Sequence, residues 1–288
     1  MLILAPATSA NLGPGFDCLG ICWSLYNEIT FSLAEKTTVS GCDSRYCNEQ
    51  NLALLAFRRT EEICGKESAS VALSFGKTDI PVSRGLGSSA ALIASGVLAA
   101  SSLHHLNLQK EAMLGIATEI EGHPDNLAPV FYGGLCCTLM DENLPVTRNF
   151  ALSPSLAFTA VIPNFELSTE KARSVLPEKY PRSDAVYNIS HALLTMKALE
   201  NGDLPLLNRA MLDKIHQPYR FPLISGIERV RDICRGYGAA MCISGAGPTL
   251  LCVCDQAIQE KLMAELSSAF PNWLVSSLQP DREGIKVQ

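Results

Sequence analysis

Two glycines and two serines in the run Pro81-Val82-Ser83-Arg84-Gly85-Leu86-Gly87-Ser88-Ser89-Ala90-Ala91 have the types and spacing of an anion cradle. Gly85 and Gly87 permit backbone conformations and close approaches that a β-carbon would block, so successive peptide N–H groups can converge on one phosphate. Ser88 or Ser89 is placed to cap a following helix through Leu92, Ile93, Val97 and Leu98, whose positive end faces the same anion. A serine hydroxyl here can also reach a magnesium ion held by the phosphates. The plainer alternative is a Gly-Ser turn before a core helix. Two rival phosphate motifs fit less well. The Walker pattern lacks its G-K-[ST], and although Gly85, Gly87 and Ala90 match the dinucleotide fingerprint, the strand ending in an acid about 20 residues on is missing. The chain instead runs through Leu103-His104-His105-Leu106-Asn107 into a second helix from Lys110 to Glu121.

Four other clusters could carry chemistry. Asn11 and Asp17 fall in the Gly/Pro-constrained stretch Asn11-Leu12-Gly13-Pro14-Gly15-Phe16-Asp17, where polar residues serve either as turn formers or as ligand contacts. In Glu119-Ile120-Glu121-Gly122-His123-Pro124-Asp125-Asn126 two acids end a helix. Acids there oppose the helix dipole, which points to a nearby cation, and magnesium prefers such oxygen ligands. Asp125 and Asn126 could also simply cap the next helix. Thr169 and Arg173 lie four apart, on one helical face. Arg220 follows a proline-fixed turn in Asp213-Lys214-Ile215-His216-Gln217-Pro218-Tyr219-Arg220. Two arginines can clamp a carboxylate through bidentate bonds. Ser244-Gly245-Ala246-Gly247-Pro248-Thr249 joins two apolar strands, and its glycines would let the first glycine loop pack closely against it.

The elements that must hold these residues alternate along the first half. Leu2 to Pro6 and Asn27 to Leu33 read as strands, Asn51 to Cys64 as an amphipathic helix, Ala69 to Phe75 as a strand feeding the glycine loop, and Leu135 to Met140 as another. The polar stretch Leu144 to Pro154, with two prolines, reads as the break between residues 1–150 and 151–288. The second unit opens on the strand-like Leu156 to Ile162. It continues through helices at Ser168 to Val175, Ser183 to Glu200, Pro205 to Asp213 and Gly226 to Arg235, then strands at Ala239 to Ile243 and Leu250 to Cys254. The fold class is α+β in two lobes, with the site expected between them.

Composition narrows the partners. The 288 residues carry 23 basic and 29 acidic side chains, a net charge of −6, with no basic run or aromatic-basic patch, so nucleic acid is not an expected partner. No window approaches 18 apolar residues and the apolar start ends at Pro6, so a soluble, cytoplasmic protein without a membrane partner is expected. Eleven cysteines without a C-x-x-C pair, and five histidines without ligand spacing against them, read as core packing rather than as disulfides or zinc.

Taken together, Ala5-Pro6-Ala7, Pro81 to Ala91 and Ser244 to Thr249, in this order, resemble the GHMP superfamily of small-molecule kinases. The wording of Pro6 to Asp17, Glu121 to Asn126 and Pro218-Tyr219-Arg220 is similar to the homoserine kinases within it. Mevalonate kinase and galactokinase relatives carry a lysine where this chain has Thr8, which separates it from them. The resemblance implies an N-terminal lobe like the second domain of ribosomal protein S5 and a ferredoxin-like C-terminal lobe. It also implies transfer of the ATP γ-phosphoryl group to the hydroxyl of L-homoserine, on the route to threonine, without a dedicated base. On the matching positions, Pro81 to Ala91 would bind the ATP phosphates, Asn51 would lie near the adenine, and Ser89 with a glutamate would hold magnesium. Asn11 and Asn126 would orient the acceptor hydroxyl. Asp17 with His123 or Asp125 would meet the ammonium, while Thr169, Arg173 and Arg220 would meet the carboxylate. Many relatives have a longer insert before the His-x-Asp-Asn element, so Glu119 and Glu121 compete for the metal; Glu121, next to the glycine turn, is the expected ligand. A homodimer is compatible with the family. The competing readings are a sister kinase with another alcohol as acceptor, a nucleotide sensor without catalysis, and a Rossmann oxidoreductase.

Overall fold

The computed structural model describes residues 1–142 and 144–288. Its first sheet takes β1 (Leu2–Ala10), β2 (Leu19–Leu33), β3 (Thr38–Ser40), β4 (Val71–Thr78), β5 (Leu135–Asp141) and β6 (Leu144–Phe150). The long β2 is its spine: β1 pairs along one edge, while β5 at Leu19–Ile21 and β4 at Asn27–Leu33 share the other. Against this sheet lie α1 (Leu52–Ile63), α2 (Ser88–Leu103), α3 (Lys110–Glu121) and α4 (Leu127–Tyr132). The small, apolar sequence of α2 leaves it no polar face, and a helix of that kind must be buried. Ala90, Ala91, Ile93, Ala94, Val97, Ala99 and Ala100 are all inside.

The chain then builds β7 (Leu156–Ile162), α5 (Thr169–Ser174), α6 (Arg182–Asn201), α7 (Leu204–Ala210), α8 (Gln217–Arg220), α9 (Ile227–Gly236), β8 (Ala240–Ile243), β9 (Leu250–Asp255), α10 (Gln259–Ala269), β10 (Leu274–Leu278) and β11 (Lys286–Val287). A four-stranded antiparallel sheet runs β10-β7-β9-β8. Its strand β7 is buried at every position, as its unbroken apolar run requires. Helix α9 covers it with Ile227, Val230 and Cys234 inward. The chain does not stay in this second unit: β11 pairs with β1, and Pro280 bridges to Trp23. Trp23, fully buried, packs on Phe158 of β7 at 5.1 Å, so the two sheets share one apolar core.

Several expected boundaries moved. The first strand continues from Pro6 to Ala10 because a register shift between Pro6 and Ala7 absorbs the residue without an N–H. Its partner begins at Leu19 rather than Asn27. The stretch expected as a linker contains β6, an edge strand paired only with β5; an edge tolerates Pro145. Thr147 inside it is buried and shares a 2.9 Å hydroxyl contact with Thr138. All eleven cysteines are free, six of them buried. No helix among the described residues is long and apolar enough to cross a membrane.

Candidate active site

Between the lobes runs a cleft of about 460 Å³. Its middle is the glycine loop. Helix α2 starts at Gly87, held at φ 71° with no side-chain cap, so neither Ser88 nor Ser89 caps as expected. A left-handed residue at this place is affordable only for glycine. The serines are thereby freed to face the cleft, beside first-turn amides that have no intrahelical acceptor. Gly85 is needed for a different reason: a β-carbon there would meet the carbonyls of Ser244 and Gly247, the latter at 2.9 Å. The expected contact between the two glycine-rich turns is real, with Ser244 Oγ 2.5 Å from Gly85 O. Of the residues expected around the phosphates, Val82, Ser83, Arg84, Gly85, Gly87, Ser88 and Ser89 line the cleft. Pro81, Leu86, Ala90 and Ala91 are not among its walls; Leu86, Ala90 and Ala91 sit in the core, where the apolar side of the same turn must go.

Ser89 Oγ donates to Glu121 Oε2 at 2.6 Å. Burial raises the Glu121 carboxyl above its usual range, opposed by the Ser89 bond and the nearby His123. Glu119, two positions earlier on α3, points away and is held by Arg59 on the outer surface. Thr8 donates to Asn126 Oδ1 at 2.9 Å, which leaves the Asn126 amide nitrogen for the cleft.

Asn51 also borders the cleft, but its side chain is consumed locally: Oδ1 accepts from Ala53 N at 3.0 Å as the cap of α1, and Nδ2 donates to the Tyr46 carbonyl at 3.0 Å. Asn11 is likewise committed. Its amide donates to Gly245 O at 2.8 Å and its carbonyl accepts from Asp17 N at 3.0 Å, which locks the loop that presents Asp17.

At the far end the charges gather. Asp17, His123 and Asp125 bring ligand atoms within 4.8 Å of one another. His123 Nδ1 lies 2.8 Å from Asp125; burial alone would lower this imidazole, but the carboxylate outweighs it and the pKa is raised. Arg173 makes a two-pronged pair with Asp17 at 2.7 and 3.1 Å, so the groups expected at opposite ends of a substrate hold each other here. Arg220 is 2 % exposed, donating from Nε to Ala172 O at 3.0 Å and from Nη1 to Gly245 O at 3.1 Å, and it also lines the cleft. Burial, then the Arg173 cation, pulls its pKa down to about 10, which still leaves it charged at neutral pH. Thr169, at the start of α5, borders the same space.

Sequence reasoning missed Phe16 and His216. The Phe16 ring lies 5.4 Å from the Arg173 guanidinium and 5.2 Å from that of Arg220, and it stacks on His216 at 5.2 Å. The i, i+4 spacing of His216 and Arg220 was the available signal.

A helix start held open by Gly87, a half-buried carboxylate and hydroxyl beside it, and opposed charges beyond make up the kind of site expected of a small-molecule kinase. Residues 51–134 match the GHMP kinases N terminal domain, and 195–272 match the GHMP kinases C terminal domain; the chain belongs to the GHMP kinase family. It is 37 % identical over 290 positions to the homoserine kinase of Clostridium botulinum strain Langeland, covering 99 % of this chain and 97 % of that one. The Clostridium beijerinckii homoserine kinase is 38 % identical with the same coverage. The crystal structure of homoserine kinase from Cytophaga hutchinsonii superposes with a TM-score of 0.88 at 28 % identity, covering 100 % and 97 % of the two chains. The structure of the putative homoserine kinase from Listeria monocytogenes gives 0.82 at 31 %, covering 99 % and 98 %. Within its family the chain is therefore one of the homoserine kinases.

Proposed function

We propose that this chain transfers the γ-phosphoryl group of ATP to the side-chain hydroxyl of L-homoserine, giving O-phospho-L-homoserine on the route to threonine. The observation that carries the reading is one cleft with an anion cradle in its middle and, past it, Asp17 facing Arg173 and Arg220. A zwitterionic amino acid offers Asp17 an ammonium and the arginines a carboxylate. Asp17 and Arg173 are each about one-third exposed, at 33 % and 36 %, and a pair exposed to that degree is worth on the order of 1 kcal/mol or less. An incoming zwitterion therefore replaces the pair at little cost.

The amides of Gly85 to Ser89 would receive the ATP phosphates, and Asn51, Tyr46 and Phe75, which line the same cleft, would border the adenine. Magnesium fits the donor set of Ser89 and Glu121, two oxygens at the helix start with the carboxylate already turned inward. Ser89 and Glu121 would hold it, and the chemistry it would supply there is charge neutralisation on the phosphates. The chain's own residues position the reactants: the Asn126 amide, fixed by Thr8, directs the acceptor hydroxyl, and Arg173 with Arg220 holds the substrate's other end. Through a loose transition state such positioning contributes more than a strong base, which suits an acceptor flanked by amides and a hydroxyl. Residues 1–150 supply the nucleotide side and 151–288 the arginines. With ATP and an amino acid as substrates, the reaction belongs in the cytoplasm.

The test is ADP release measured across homoserine, serine, threonine, mevalonate and shikimate. Homoserine should be preferred over mevalonate and shikimate, which lack the ammonium, by at least about two decades in kcat/KM, the value of one charge-assisted clamp or two. Preference for an acceptor without an ammonium would overturn the reading.

A further inference from the structure

His216 is completely buried, and nothing in the phosphoryl transfer calls on it. Its surroundings nevertheless fix its protonation. Nε2 lies 2.7 Å from the Gly13 carbonyl and 3.6 Å from the Asp213 carboxylate. A lone pair facing two oxygens would be repelled, so Nε2 carries the proton. Nδ1 faces Arg220 Nη1 at 3.3 Å. A second ring proton there would oppose a guanidinium, so Nδ1 keeps its lone pair and accepts. Asp213 in turn is saturated by the backbone amides of Ile215, His216 and Gln217 and by the Asn188 side chain, at 2.6 to 2.8 Å, which holds the His216 backbone in place. Burial, reinforced by the neighbouring Arg220 cation, holds the His216 pKa below its ordinary value despite Asp213.

One neutral imidazole thus joins three parts of the substrate end. Through Gly13 it grips the loop that carries Asp17, through Nδ1 it sets the guanidinium of Arg220, and through its ring it supports Phe16, on which both arginines rest. We propose that His216 is a positioning residue, held as the neutral Nε2–H tautomer, that aims Arg220 at the substrate carboxylate and keeps it in register with Asp17. The inference deepens the reading that Arg220 receives that carboxylate and rests on it.

Three variants separate the two ring nitrogens. His216→Phe keeps the ring and loses both bonds; His216→Asn places an acceptor near the Nδ1 position; His216→Gln places a donor near the Nε2 position. His216→Phe should raise the KM for homoserine by about one decade, the loss of one bond to a charged group, with the KM for ATP and kcat within about threefold. His216→Asn should recover most of that loss and His216→Gln little of it. A parallel fall in thermal midpoint, kcat and both KM values in all three, or equal behaviour of the Asn and Gln variants, would make His216 merely structural and overturn the proposal. Where the variants do not fold, ring-¹⁵N NMR of the parent protein decides: one of its five histidines should show a protonated Nε2 and a bare Nδ1 at pH 7, and Arg220→Lys should move that Nδ1 signal. The opposite tautomer would overturn the proposal. If Arg220→Ala leaves homoserine KM unchanged, the carboxylate reading fails and takes the aiming role with it. A normal Arg220→Ala loss beside an unaffected His216→Phe would remove the aiming role alone.

Discussion

Glu121 and Glu119 put the metal question in its simplest form, because two positions on one helix point about 200° apart. Only Glu121 meets Ser89, while Glu119 is spent on Arg59. Glu121→Gln should therefore lower turnover by at least about two decades, roughly 2.7 kcal/mol in the barrier, with partial recovery when magnesium is raised. Glu119→Gln should stay within a few-fold; the reverse pattern in steady-state kinetics would move the role to Glu119. Arg173→Ala should raise the KM for homoserine by about one to two decades and leave that for ATP in place, and an effect on ATP alone would refute the clamp. At this scale the sequence displayed the residue types but not their partners. Asp17 and Arg173 stand 156 positions apart, and nothing local announces that they meet. Asn11 and Asn51 looked free to bind ligands, yet each spends its amide on a neighbouring carbonyl. A short polar side chain near backbone is used by that backbone first, and such competition is invisible until the loop's path is known.

Elements were legible in proportion to their periodicity. The unbroken small apolar run of α2, the alternating faces of α9 and the solid apolar stretch of β7 each stated their burial in advance. Strand β6 did not, because its pattern is short, contains Pro145, and buries only Pro145 and Thr147, on one face. Turn chemistry was read for its serines, whereas the helix start was decided by Gly87. A β-carbon on Gly87 would strike the Thr8 side chain and come within 3.2 Å of Thr8 N. Gly87→Ala should thus cost about 2 to 5 kcal/mol in denaturant unfolding, adding the left-handed penalty of about 1 to 2 to overpacking of about 1 to 3. ATP affinity should fall with it, since the α2 amides shift. Placing Thr8→Ala beside it should return part of the packing loss, and a Gly87→Ala protein as stable as its parent would show that β1 and the loop are not in contact as described.

At the scale of the molecule the two sheets do not stand alone. Trp23 and Phe158 join them, and the tail residue Asp281 accepts from Tyr26, from Glu283 N at 2.6 Å and from Gly284 N at 3.0 Å. Pairings so distant in sequence were beyond any local reading. The two tryptophans sit in different lobes, so in Trp23→Phe and in Trp273→Phe the fluorescence of the remaining tryptophan should lose its signal at the same denaturant concentration as that variant's own far-UV circular dichroism; separated midpoints within one variant would mean the lobes unfold independently. Burial alone would raise the Asp281 carboxyl, but the Tyr26 bond and the backbone amides hold it below its usual value. Its stabilising contribution is then present above about pH 4 and lost as pH falls through the lowered folded pKa. Asp281→Asn should be less stable near pH 7 and less sensitive to acid below about pH 4, and an unchanged acid limb would remove Asp281 from the account. The turn from Ser244 to Thr249 has a wider consequence. Gly245 O receives both Asn11 and Arg220, Ser244 touches Gly85, and Thr249 N donates to Arg84 O at 3.1 Å. One peptide turn thereby serves as a common bearing for the loop proposed to hold the nucleotide and the arginine proposed to hold the amino acid. Two ligands that load the same bearing are thermodynamically linked, so whatever factor ATP applies to the affinity for homoserine, homoserine must apply to the affinity for ATP.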